Sequence, residues 1–150
     1  MYTGIFPKRT MSQNIGLYIT SSQVTPNKHQ NLQQIFDTAK DFPESKPKPD
    51  YVRLVPDSQW AENASITEIF ARHRREQIRN FSAKPIVILD ERTAEEKEGE
   101  ETVLLVGPDV DENGDWRDEP VVLRFDPHRV PGAAINVQLS NQSMKEVRRT

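Results

Sequence analysis

Cysteine is absent from the 150 residues of the chain. That absence excludes a disulfide framework, thiol nucleophiles, iron–sulfur ligation and any zinc site built on thiolates, and it suits a reducing compartment. Glycine is sparse, with 6 residues, and no Gly-x-Gly-x-x-Gly, Walker loop or Gly-x-Ser-x-Gly elbow occurs. The backbone signatures of dinucleotide binding, phosphate-loop NTPases and serine hydrolases are therefore missing. His29, His73 and His128 fall at no His-x-x-x-His or His-Glu-x-x-His spacing, so zinc lacks a ligand set, and no cofactor is expected. No window approaches the ~18 consecutive apolar residues of a membrane span. Met1 to Gln13 also lacks the apolar centre of a secretion signal. The expectation is a cytoplasmic or nuclear protein without a membrane segment.

What is present fits one ordinary domain: 35% hydrophobic and 29% charged side chains, with 11 prolines. The net charge of −3 is unevenly spread, at +2, +2, −10 and +3 over residues 1–50, 51–84, 85–120 and 121–150. Such concentrated acidity argues against a broad nucleic-acid surface, which needs a continuous basic footprint. A basic partner or a cation suits the acidic segment better.

Residues 1–13 show no periodicity and read as a loose arm, with the domain occupying 14–150. Ile15, Leu17 and Ile19 alternate with Gly16 and Tyr18, the period-2 mark of a strand closed by Thr20-Ser21-Ser22. Thr25 and Pro26 open a helix that carries Leu32, Ile35, Phe36 and Ala39 to about residue 40. Three prolines then make 43–49 an extended, exposed connector. Residues 51–55 read as a second strand. Ser65 and Glu68 form a capping box for a helix over 66–81, whose apolar face holds Ile69, His73, Phe70, Ile78 and Phe81. Ile86-Val87-Ile88-Leu89 is an unbroken apolar run of the kind buried on both faces. Thr93 caps a short helix over 94–98. Residues 102–106 and 121–125 flank Asn113-Gly114, a strong hairpin signal. Ile135, Val137 and Leu139 alternate as a short strand or extended segment, and Asn141 caps a last helical turn with Met144 and Val147. The order predicts an α/β fold: a parallel three-strand core with flanking helices, extended by an antiparallel hairpin and a short C-terminal helix.

Three blocks carry a resemblance. They are Asp50-Tyr51-Val52-Arg53-Leu54-Val55-Pro56-Asp57, then residues 85–93 followed by 102–106, and above all Asn136-Val137-Gln138-Leu139-Ser140-Asn141-Gln142-Ser143-Met144-Lys145-Glu146-Val147. Through them residues 50–147 resemble a family of small, mostly microbial α/β domains of unknown function. That family closes on Asn-Leu-Ser-Leu-Ala-Asn-Met-Asp-Phe, whereas Gln142-Ser143 stands here where the pattern has Met-Asp. The resemblance implies the fold and no chemistry.

Ligands in such sheets sit outside the carboxyl ends of the parallel strands. Asp57, Asp90, Glu91 and Arg92 fall at those ends, and carboxylates beside a guanidinium suit polar-ligand binding or acid/base work. The same residue types also serve as turn and helix-cap residues. His73 on an apolar helix face reads either as a tuned base or as a core histidine bonded to a carbonyl. Trp60 and Trp116 lie in polar segments, where an aromatic anchors a partner or packs on the sheet edge. Asp109, Asp111, Asn113 and Asp115 with Gly114 match the first half of a calcium loop. Pro120 stands where the closing glutamate belongs, so an acidic hairpin tip fits better and no metal is expected. Arg72, Arg74, Arg75 and Arg79 read as a solvated face, with Arg72 four residues from both Glu68 and Glu76.

Three functions follow as expectations. The first is a small binding or protein-interaction domain that takes a protein partner or a small molecule. The second is an isomerase or lyase using Asp57, Asp90, Glu91 and Arg92, with His73 behind them. The third is a homodimerisation module with an exposed hairpin edge.

Overall fold

The alternation about Gly16 and Tyr18 produces β1, Asn14–Ile19. The computed structural model describes residues 13–40 and 48–148. The expected arm, apart from Gln13, and most of the proline-rich connector lie outside them. Thr25 caps α1, Pro26–Thr38, by accepting from the Lys28 amide, with Pro26 in the first turn where a missing N–H costs nothing. Strand β2, Val52–Leu54, leads through a 3-10 turn at Gln59–Ala61 into α2, Ile66–Glu76. The Ser65–Glu68 capping box is formed in both directions.

Then follow β3, Phe81–Leu89, the short α3, Glu91–Glu95, and the strands β4, Val103–Gly107, and β5, Val121–Phe125. A 3-10 turn at Pro127–Arg129, α4, Val130–Gln138, and α5, Met144–Arg148, complete the described residues. The five strands form one mixed sheet in the order β2-β1-β3-β4-β5. Strand β1 runs parallel to both β2 and β3, and β4 and β5 add antiparallel ladders.

Period-2 alternation divides the core. Ile15, Leu17, Val87, Leu89, Val103 and Leu105 face a layer made by α1, α4 and α5. Tyr18, Ile86, Ile88, Leu104 and Val106 face the other way, onto Ile69 and Phe70 of α2 and Ala61 of the turn before it. The molecule is thus an α/β fold with helices on both faces of the sheet.

Four expected elements are corrected. The helix opened by Ser65 stops at Glu76, because Gln77 and Asn80 adopt left-handed backbone with φ of 47° and 72°, and Phe81 begins β3. The short helix near 94 is α3, one turn earlier: Asp90 is its N-cap, and Thr93 is the third residue of its capping box. Ile135 and Val137 belong to helix α4, since Val130, Ala134 and Val137 share a buried helical stripe that overrides the alternation. Ser143 instead of Asn141 stands before α5, exchanging side-chain and amide bonds with Glu146 at 3.2 and 2.8 Å.

Candidate functional site

Adjacent parallel strands whose outgoing connections turn to opposite faces leave a crevice at their carboxyl ends. Here β1 leads to α1 on one face and β2 leads to α2 on the other. The crevice so opened has a volume of about 290 Å³. Ile19, Val24, Leu54 and Val55 give it an apolar floor, and Ser21, Ser22 and Ser58 contribute hydroxyls. Asp57 and Glu62 stand exposed at its rim, and among the described residues no Lys or Arg lines it.

Local sequence shapes each wall. Pro56 starts a turn in which Asp57 takes a left-handed φ of 55°, a conformation that Asp tolerates. Ser58 is buried and donates to the Val55 carbonyl at 2.6 Å, which fixes the turn below the rim. On the β3 side the crevice is closed. The Thr20 amide donates to the Leu89 carbonyl at 3.0 Å, and the Thr20 carbonyl accepts from the Asn63 amide at 3.1 Å.

The carboxylates and the guanidinium expected at the strand ends are not gathered here. Asp57 lines the crevice, whereas Asp90, Glu91 and Arg92 do not. Asp90 turns toward β5, where its two oxygens meet the two terminal nitrogens of Arg124 at 3.0 and 2.5 Å, while it also accepts from the Thr93 amide and hydroxyl. Burial alone would raise its pKa, but the bonds from Arg124 and Thr93 and the Arg124 charge outweigh that and hold it below the usual carboxylate range. It is a fully engaged helix cap. Glu91 is exposed in the first turn of α3, and Arg92, also exposed, pairs with Glu96 at 3.2 Å.

His73 is 2% exposed and sits on the α2 side of the sheet, away from the crevice. Its Nε2 lies 2.8 Å from the Ser82 carbonyl, an acceptor only, so Nε2 carries the proton. Its Nδ1 lies 2.6 Å from the Tyr18 hydroxyl, which then donates to it. Burial pushes the His73 pKa down and that of Tyr18 up. With both nitrogens bonded inside the core, His73 is a neutral core histidine in this geometry. Gly16 makes room for it: a Cβ there would stand 2.8 Å from His73 Cε1 and 2.9 Å from Val55 Cγ2.

The tryptophans are half-buried and both pack beside α2. Trp60 tilts against Tyr18 at 5.5 Å and lies under the Arg72 guanidinium at 3.9 Å. Trp116 stacks on Phe70 at 5.7 Å and lies under Arg74 at 4.1 Å. Of the ion pairs expected along this helix, Arg72–Glu76 forms at 2.8 Å, whereas Glu68 serves the capping box. In the acidic loop, Asp111 accepts from the amides of Asn113 and Asp115, and Asp109 pairs with Arg117 and Lys145, each at 3.6 Å. Among the described residues no three His, Asp or Glu side chains gather as a metal-binding group.

Sequence reasoning missed Leu54, Val24 and Glu62 as crevice residues, Arg124 as the partner of Asp90, and Tyr18 as that of His73. A glycine inside an apolar strand was the available signal for the last, since it marks a close approach. No helix among the described residues is long and apolar enough to cross a membrane. No protein-family model, curated protein or solved structure matches the chain.

Proposed function

We propose that the chain is a small-molecule-binding domain whose ligand seats in the crevice at the carboxyl ends of β1 and β2. One observation carries this: an apolar floor of Ile19, Val24, Leu54 and Val55 lies beneath hydroxyls and two carboxylates, with no cation among the described residues that line the space. That chemistry suits a compact ligand with an apolar body and a protonated amine. Binding is favoured over catalysis because the groups able to move protons are dispersed. Asp57 is alone with Glu62 at the rim, Asp90 is bonded to Arg124, and His73 is sealed against Tyr18 and Ser82.

Isobutylamine and isobutyrate share a shape and differ in charge, so amide chemical shifts on titration separate the reading from chance apolar binding. The amine should perturb Ser21, Ser22, Leu54 and Ser58, the acid should not, and Leu54→Lys should abolish the response. Equal responses to both probes, or shifts confined to other residues, would overturn it.

A further inference from the structure

At the opposite end of the sheet, where β1 and β3 begin, a continuous groove runs along α2. Its two stretches, of about 410 and 590 Å³, share Arg74, Gln77 and Trp116. Arg75 and Arg117, the latter paired with Asp109 at 3.6 Å, line the first, and Arg79 and Lys84 line the second. Among the described residues Asp118 is the one acid lining the first stretch, and no Asp or Glu lines the second. Lys84 donates to the Ser140 hydroxyl at 2.6 Å, and Arg74 is held over Trp116. Arg75 and Arg79 are exposed and make no ion pair among the described residues.

Like charges gathered in one concavity with little counter-charge raise the local potential and attract an anion. Guanidinium and indole side by side are the side chains that most often dominate protein–protein binding energy. Here the stack fixes Arg74, so less rotamer entropy is lost when it meets a carboxylate.

We infer that this groove docks an acidic polypeptide segment of a partner protein, carboxylates on the guanidiniums and an apolar side chain against Trp116. A nucleic acid fits less well. The footprint is five cations long, it is bounded by Asp118, and the chain as a whole carries −3. This surface is separate from the crevice, so the inference stands whether or not the amine site does.

Fluorescence anisotropy with a labelled oligoglutamate peptide tests it, beside a single-stranded oligonucleotide of equal charge. At low ionic strength the peptide should bind more tightly than the oligonucleotide. The double variant Arg75→Ser/Arg79→Ser removes two exposed cations that pair with no described residue and should weaken the peptide roughly tenfold. Amide shifts on the wild-type protein should map to Arg74, Gln77, Asn80 and Trp116, which keeps the test intact if the variant folds poorly. No peptide binding, tighter oligonucleotide binding, unchanged affinity in a folded double variant, or shifts on another face would each overturn it.

Discussion

His73 shows how one residue ties helix, strand and strand together. Its ring lies against Gly16 of β1, its Nε2 donates to Ser82 of β3, and it takes a bond from Tyr18, 55 residues earlier. Because burial lowers its pKa in the fold, the unfolded chain binds more protons at mildly acid pH. Its contribution to stability is therefore complete above the unfolded histidine pKa of about 6.5 and is lost as pH falls through the window below it. Urea midpoints measured at about pH 7.5 and about pH 5.5 should fall further for the wild type than for His73→Gln. His29, whose pKa burial also lowers, and Asp90 titrate alike in both proteins, so the difference isolates His73. Equal falls would refute the assignment of a neutral buried imidazole.

Helix α3 has five residues, too few to persist alone, since one or two turns do not recover the cost of nucleation. Both of its ends are held from outside. Asp90 caps the first turn and is itself clamped by Arg124 of β5. At the far end Lys28 of α1 donates to the carbonyls of Thr93, Ala94 and Glu96 at 3.2, 3.0 and 2.6 Å, and its charge lies 3.8 Å from the nearly buried Glu101. A lysine there satisfies orphan carbonyls and complements the helix dipole. Lys28→Met keeps the aliphatic stem but leaves three acceptors unfilled and one buried carboxylate unpaired. The expected loss is about 2–4 kcal/mol by denaturant unfolding, with faster amide exchange over residues 91–101. A loss within about 0.5 kcal/mol of zero would mean that the helix is held by its N-terminal cap alone.

At the scale of the molecule, what was legible in the sequence is what is local. The Ser65–Glu68 box, the Thr25-Pro26 helix start and the alternation in β1 each declare themselves within a few residues. Ile135, Val137 and Leu139 misled because an apolar stretch satisfies two periods at once, and packing of Val130, Ala134 and Val137 on the sheet decides between them. The candidate site was half legible: the rule about strand ends led to Asp57 and its crevice, but which strand ends join depends on register. Asp90 meets Arg124, 34 residues on, only because β4 lies between β3 and β5 in the sheet.

The same layout governs how the two proposed surfaces communicate. One lies at the carboxyl ends of β1 and β2 and the other at the amino ends of β1 and β3, with the six residues of β1 between them. Six strand residues span roughly 20 Å. Those residues are buried or half-buried and pair with β2 over Ile15–Leu17 and with β3 at Asn14 and over Gly16–Ile19, so a shift of β1 would break both ladders at once. Coupling needs an element with two states that each ligand prefers differently. The two sites should therefore act independently. Leu54→Lys should leave oligoglutamate affinity unchanged, Arg75→Ser/Arg79→Ser should leave the amine response unchanged, and the triple variant should bind oligoglutamate within about 0.5 kcal/mol of the double variant. A larger departure, measured by peptide anisotropy with and without saturating isobutylamine, would reveal a second state of β1, and its reach through Gly16 to His73 would be the first place to look.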